Sequence, residues 1–177
     1  MNMDNKKIFI TGGGGYCGTT LVPLLLKQGY KITVFDTFYF GNLLPINENL
    51  NIIKGDIRDH QKILTTSKGH DIFISLACIS NDASFELDEK LSTSINLDAF
   101  EPMVLAAKKN NFKRFIYASS SSVYGVSSEP DVTEDHPLVP LTLYNKFKGE
   151  CEPILEKHTD DNFIGVTFRP ATVCGYS

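Results

Sequence analysis

Three glycines, an aspartate and a tyrosine–lysine pair are the residues of this 177-residue chain whose types and spacing suggest chemistry. The run Thr11-Gly12-Gly13-Gly14-Gly15-Tyr16-Cys17-Gly18 sets glycines at positions 12, 15 and 18, the G-x-x-G-x-x-G spacing. A glycine run alone marks a turn. Between a strand and a helix it does more: its bare backbone lets helix N-terminal amides touch a dinucleotide pyrophosphate, and the helix dipole favours that charge. Gly12, Gly15, Tyr16, Cys17 and Gly18 are therefore read as cofactor contacts. Asp36 stands 18 residues beyond Gly18 at the end of the next apolar run. A carboxylate there can accept from both hydroxyls of an adenosine ribose. A 2′-phosphate would meet like charge, and no Lys or Arg follows Asp36 through Asn49 to receive it, which favours NAD over NADP. Capping of its own loop is the alternative role for Asp36. Tyr144 and Lys148 lie four apart on a predicted helix and so share one face. A tyrosine phenol, with a pKa of about 10, is a poor base at neutral pH. An ammonium one turn away, together with a positive nicotinamide ring, would bring it towards the working range as a general base. Taken alone, the two residues could equally be a surface pair.

These groups need elements to position them. Lys6–Thr11, Lys31–Asp36, Asn51–Asp56, Asp71–Ala77, Arg114–Ser119 and Phe163–Arg169 are short β-branched or aromatic runs, near-continuously apolar as strands covered on both faces must be. Helical spacing fills the intervals at Tyr16–Gln28, Arg58–Ser67, Glu89–Asn110 and Thr142–His158, with Pro102 expected to bend the third. Strands alternating with helices predict an α/β fold, a doubly wound parallel sheet of the Rossmann kind, occupying residues 1–177 as one domain. Every motif falls at a carboxyl end of a strand, where such sheets bind ligands.

Composition narrows the class of function. Seventeen basic against 21 acidic residues, a net charge of −4, give no basic face for nucleic acid. No apolar run reaches membrane-spanning length, and Met1–Lys7 lacks the zones of a signal peptide, so the expectation is a cytoplasmic protein with no membrane partner. Cys17, Cys78, Cys151 and Cys174 form no C-x-x-C pair and are read as reduced, mostly packing thiols, Cys17 among the packing ones. His60, His70, His136 and His158 show no ligand spacing and are read as solvated loop or helix-end residues, with no metal site.

The glycine spacing, Gly55-Asp56-Ile57-Arg58-Asp59, Leu76-Ala77, Asn96, the run Ser119-Ser120-Ser121-Ser122-Val123-Tyr124-Gly125 and Tyr144-x-x-x-Lys148 together resemble the extended short-chain dehydrogenase/reductase superfamily, in its NAD-dependent sugar-nucleotide epimerase/dehydratase branch. The resemblance covers essentially the whole chain. It implies that Ser120 hydrogen-bonds the reacting hydroxyl and that Lys148 also holds the nicotinamide ribose. It implies that Asp56 and Ile57 contact adenine, although Asp56 could instead cap the next helix. Leu76 and Ala77 match the cofactor-side wall, with Ser75 in place of the usual His, and Asn96 matches a helix Asn near the nicotinamide end. Arg169-Pro170-Ala171-Thr172 matches the stretch after the sixth strand, so Pro170 is grouped with the cofactor contacts; Thr172 stands where many sugar-nucleotide enzymes carry Asn. Cys17 stands where a bulky aliphatic is common. The dehydratases of the family carry an acidic pair at the positions of Ser121 and Ser122, which argues against sugar dehydration here. Ser80, Asn81, Ser121, Ser122 and Thr172 are the candidate substrate contacts.

The resemblance implies an epimerase-like enzyme acting on a nucleotide sugar through transient hydride transfer and a keto intermediate. The alternatives are a sugar-nucleotide dehydrogenase or reductase without epimerisation, and a dinucleotide-binding module without turnover. Members of the family continue into a seventh strand and a smaller substrate-binding lobe, absent from these 177 residues, which are expected to be either a fragment or a naturally short protein. A homodimer through the helices at Glu89–Asn110 and Tyr144 is a further expectation of the resemblance.

Overall fold

The computed structural model describes residues 6–175. Six parallel strands, β1 (Lys7–Thr11), β2 (Lys31–Asp36), β3 (Leu50–Lys54), β4 (Ile72–Ser75), β5 (Arg114–Ala118) and β6 (Ile164–Phe168), form one sheet in the order β3-β2-β1-β4-β5-β6. The order reverses between β1 and β4, which places a crevice at their carboxyl ends, above Thr11 and Ser75. Helices α1 (Tyr16–Lys27), α2 (His60–Thr66), α3 (Asp82–Glu86), α4 (Glu89–Thr93), α5 (Phe100–Lys109) and α6 (Leu143–His158) make the crossovers.

Alternation along the central strands divides the core in two. Ile8, Ile10, Ile32 and Val34 face α1 through Val22 and Leu25. Phe9, Phe35, Phe73 and Phe115 face the other way, onto Phe100, Met103, Val104 and Leu155 of α5 and α6. Phe73 is the hub of that layer: its ring lies 5.3 Å from Phe9, 5.5 Å from Phe112 and 4.7 Å from Phe115, the last pair stacked.

The expected six strands are all present, each ending within two residues of its predicted limit. The expectation that all are covered on both faces holds only for the centre. β3 and β6 are edge strands, and Ile52, Ile164, Val166 and Phe168 are exposed. The predicted long helix Glu89–Asn110 is three pieces. Asp88 caps α4 by accepting from the Leu91 amide, a π turn occupies Ser94–Asp98, and α5 follows. Pro102, in the first turn of α5, lacks the N–H that would bond the Asp98 carbonyl, so the regular ladder is interrupted where the π turn ends. Two short elements were not expected: α3, and a 3₁₀ turn at Ser121–Tyr124 capped by Ser120.

His70 also departs from expectation. It is half-buried rather than freely solvated: its ring packs edge-on to Phe9 and stacks on Phe112, Nδ1 faces the Ser67 carbonyl at 3.0 Å, and Nε2 lies 2.8 Å from the Thr33 hydroxyl. His158 pairs with Glu101 at 2.8 Å. Cys151 is buried, as a packing role requires, whereas Cys17, also read as packing, is exposed, as is Cys174.

Two outcomes follow from this packing. Phe73→Ala should cost about 3–5 kcal/mol of unfolding free energy, the range for emptying a rigid aromatic site, read from urea denaturation. Burial holds the His70 imidazole below its ordinary pKa. Because its folded value is depressed, the neutral ring's contribution is fully present above the unfolded value of about 6.5 and is lost as pH falls through the folded value. The urea midpoint should therefore drop on acidification below neutrality, and His70→Gln should flatten that drop; an unflattened profile would place its origin elsewhere.

Candidate functional site

The turn after β1 is built so closely that side chains cannot enter it. Gly12 has φ +74°, and a Cβ there would lie 2.4 Å from the Ala77 amide nitrogen. A Cβ on Gly13 would meet Val34 at 2.8 Å, and one on Gly18 would meet the Gly13 carbonyl oxygen at 2.3 Å. Gly15 differs: its added Cβ would approach only the Gly12 carbonyl, at 3.3 Å. Gly15 is also the N-cap of α1 and supplies no side-chain bond, whereas Asp59, Asn81, Asp88 and Thr142 cap α2, α3, α4 and α6. The first-turn amides of α1, at Tyr16 and Cys17, therefore point their positive dipole end at open space. At the foot of the turn the buried Thr11 hydroxyl has no hydrogen-bond partner among the described residues. This arrangement fits a dinucleotide diphosphate. Tyr16 donates its phenol hydrogen to the Gly175 carbonyl at 2.7 Å, so the segment after β6 passes beside the turn.

Asp36 closes the cradle on the second strand. One carboxylate oxygen accepts from the Gly14 amide at 2.9 Å and the other from the Phe38 amide at 2.8 Å. Each oxygen keeps a further lone pair for a ribose hydroxyl. Asp56 does not cap the following helix, as had been the alternative. Asp59 does, accepting from the Lys62 amide at 3.0 Å. Asp56 is held by Arg58, whose Nη2 lies 2.5 Å away and whose guanidinium keeps the Asp56 carboxyl below the usual range. Ile57 is buried in the core. Leu76 extends the β4 ladder by donating to the Thr11 carbonyl at 3.0 Å, and the Ala77 backbone touches Gly12.

On the other side of the crevice Tyr144 and Lys148 lie on α6. The Lys148 ammonium is buried, donates to the Ala118 carbonyl at the end of β5 at 2.8 Å, and sits 5.2 Å from the Tyr117 ring centre and 5.9 Å from that of Tyr144. In the chain without a nicotinamide ring, burial above all pushes the phenol's pKa upward, with Cys78, Asp82 and Cys17 adding to that and a backbone hydrogen bond from Asn81 opposing it. Ser120 caps the 3₁₀ turn, and its Oγ lies 2.6 Å from that of Ser122. The neighbouring Ser121 amide donates to the Pro170 carbonyl at 2.9 Å. Asn96 grips Ile79 twice, accepting from its amide at 2.8 Å and donating to its carbonyl at 2.9 Å. Its side chain is thereby committed to the loop after β4. Ser80 and Asn81 on that loop are exposed, and Thr172 is exposed after β6.

Sequence reasoning passed over Glu152 and treated Arg169 only as part of a motif. Glu152 is buried, accepts from the Ser119 hydroxyl at 2.6 Å, and is gripped by Arg169 through Nε at 3.0 Å and Nη2 at 2.5 Å. Arg169 Nη1 also donates to the Tyr124 hydroxyl at 2.6 Å and to the Glu134 carbonyl at 3.0 Å. The signal was available: Tyr144, Lys148 and Glu152 recur every four residues along one helix face. Beside this network lies a cleft of about 720 Å³ bordered by Ser121, Tyr124, Thr133, Thr167 and Arg169.

A parallel sheet of this order with an uncapped glycine turn at its switch point defines a dinucleotide-binding Rossmann protein. Residues 8–177 match the NAD dependent epimerase/dehydratase family, and the chain belongs to it. It is 27% identical to the 3-beta-hydroxysteroid dehydrogenase of Mycolicibacterium neoaurum across 99% of this chain and 50% of that protein. Among solved structures it resembles a UDP-N-acetylglucosamine 4-epimerase from Methanobrevibacter ruminantium M1 in complex with UDP-N-acetylmuramic acid (TM-score 0.87, 29% identity, 94% of this chain and 55% of that one). It also resembles the Bordetella bronchiseptica enzyme WbmH in complex with NAD+ (TM-score 0.83, 33% identity, 97% and 57%). The chain spans about half the length of these proteins. Among the described residues no helix is long and apolar enough to cross a membrane.

The glycines should separate by role. Gly12→Ala combines an unfavourable φ with a backbone collision and should cost about 2–4 kcal/mol of stability. Gly15→Ala, at an exposed N-cap of ordinary φ with one tight contact, should cost no more than about 1 kcal/mol. Equal losses in the two variants, measured by thermal unfolding, would contradict the cradle geometry.

Proposed function

We propose that this chain is the NAD-binding part of an enzyme that epimerises a nucleotide sugar by oxidising one of its hydroxyls to a ketone and reducing it again on the other face. The reading is carried by the meeting, at one end of the sheet, of an uncapped glycine turn, a two-oxygen aspartate at the next strand tip, and a half-buried tyrosine beside a buried lysine. Bound NAD would supply the acceptor and donor of hydride. The chain's own residues bind, orient and move the proton. Gly12 to Gly18 offer bare backbone to the diphosphate, and Asp36 accepts from the adenosine ribose. Asp56, Ile57, Leu76 and Ala77 flank the cofactor, and Asn96 acts on it by fixing the loop at Ile79.

Ser120 orients the reacting hydroxyl, and Tyr144 takes its proton. The Lys148 ammonium favours the phenolate that results and holds the nicotinamide ribose. The cleft beside Ser121 adjoins the reacting group, and Ser80, Asn81, Ser122 and Thr172 are the remaining substrate contacts in this reading. Serines at 121 and 122 leave no acidic pair to expel water, so dehydration is not the proposed reaction. A second reading, oxidation of an alcohol without epimerisation, is supported by the similarity to a hydroxysteroid dehydrogenase over nearly the whole chain. It uses the same Ser120, Tyr144 and Lys148.

Mixing the protein with NAD and either UDP-glucose, UDP-N-acetylglucosamine or a 3β-hydroxysteroid, and following NADH absorbance and epimeric products, decides between the readings. Sugar epimer without net NADH supports the first, and NADH with the steroid supports the second. Because burial raises the Tyr144 pKa, the base form grows as pH rises, and turnover should climb from neutral to alkaline pH. Tyr144→Phe should abolish that climb and lower the rate by about 10²–10⁴-fold while NADH still binds. Asp36→Ala should weaken NAD binding by about 1–3 kcal/mol. Binding of NAD with no Tyr144-dependent product from any of these compounds would favour a non-catalytic module.

A further inference from the structure

The ion pair between Glu152 and Arg169 has no part in the reaction proposed above, yet it sits directly behind the residues that carry it. Glu152 follows Lys148 by four residues and Tyr144 by eight, so all three lie along one face of α6. Its carboxylate is withdrawn from water, with 9% of the side chain accessible. A buried carboxylate without a cation is costly, and it recruits whatever positive group can reach it. Arg169 meets that demand in full: Nε and Nη2 form a fork on the two carboxylate oxygens, and Ser119 adds a third bond. The arginine is itself clamped, because the backbone on both sides of it holds the serine turn. The Phe168 carbonyl accepts from the Ser119 amide at 2.8 Å, and the Pro170 carbonyl accepts from the Ser121 amide at 2.9 Å.

One turn away, Lys148 meets its neighbours differently. Its ammonium takes the Ala118 carbonyl at 2.8 Å and hangs over the rings of Tyr117 and Tyr144, with no bond to Glu152. A lysine and a glutamate four apart on a helix are ordinary ion-pair partners. Here the glutamate is already saturated.

We infer that Arg169 is a positioning residue for the reaction: by saturating Glu152 it prevents that carboxylate from capturing the ammonium of Lys148, and so leaves Lys148 aimed at the end of β5 beside Tyr144. The inference rests on the reading of Lys148 as partner of Tyr144 and of the nicotinamide ribose. It assigns the Arg-Pro segment after β6 a task in the site although the hydrogen bonds of Arg169 go to Glu152, Tyr124 and Glu134 rather than to Ser120 or Tyr144.

The test is a charge-rescue cycle on the full chain with two readouts. One is the ¹⁵N resonance of the Lys148 ammonium, recorded without cofactor; the other is NADH affinity from fluorescence titration. Arg169→Met, which leaves Glu152 unpaired, should shift the Lys148 signal and weaken NADH binding about tenfold, the scale of one lost charge-assisted bond. Adding Glu152→Gln removes the competing charge and should return the Lys148 signal and bring affinity to within about threefold of the parent, even though every side-chain hydrogen bond of Arg169 is still missing. A purely structural clamp gives the opposite result, a double variant no better than the single.

Should Arg169→Met fail to fold, Glu152→Gln, Glu152→Gln/Arg169→Met and Arg169→Lys avoid an unpaired buried carboxylate, and all three should keep the parental Lys148 signal. A shifted signal in any of them, no shift in a folded Arg169→Met, or no rescue in the double variant overturns the inference. If the parent binds no NADH, the proposed function fails, and the Lys148 resonance alone still decides the role of Arg169.

Discussion

The closeness of the β1–α1 turn to the chain around it is the constraint on which the rest of the site depends. Gly12 presses on the Ala77 backbone and Gly18 on Gly13, so the strand, the turn and the first helix are locked with no side chain between them. That lock leaves the first amides of α1 uncapped, and the same turn hands the Gly14 amide to Asp36. A local demand for missing Cβ atoms thereby fixes the position of the aspartate on the neighbouring strand. The cradle and the candidate ribose acceptor are one unit rather than two features side by side.

The opposite half of the crevice is organised by buried charge. Lys148 and Glu152 both lie within a few residues on α6, and both are desolvated. Neither could be kept there alone. Lys148 is satisfied by a strand-end carbonyl and two aromatic faces, and Glu152 by a guanidinium fork and a serine. This distribution ties α6 to the ends of β5 and β6 and brings the serine turn, the tyrosine and the lysine into one neighbourhood. It also explains why the phenol is held in its protonated form within the chain alone: the surroundings that fix it also remove its water.

Much of this was legible in the residues. The alternation of apolar runs with helical spacing marks the strands and, through right-handed crossovers, a parallel doubly wound sheet. The glycine spacing and Asp36 identified one side of the crevice because backbone geometry allows few other residues there. What escaped was set by tertiary contacts that leave no periodic mark. Asn96 reads as a mid-helix polar residue until the π turn points it at Ile79. His70 reads as a loop histidine until Phe9 and Phe112 enclose it. Asp56 and Asp59 are equally good caps by type, and only the start of α2 at His60 separates them, leaving Asp56 to Arg58.

The last strand carries a consequence of another kind. Among the described residues β6 pairs with β5 alone, and Ile164, Val166 and Phe168 stand open to solvent along it. A parallel sheet normally hides such a border. Handled in isolation, these 177 residues would be adhesive along that margin, recruiting any extended segment that completes the hydrogen-bond ladder. Concentration-dependent self-association would then reflect an unsealed seam rather than poor folding.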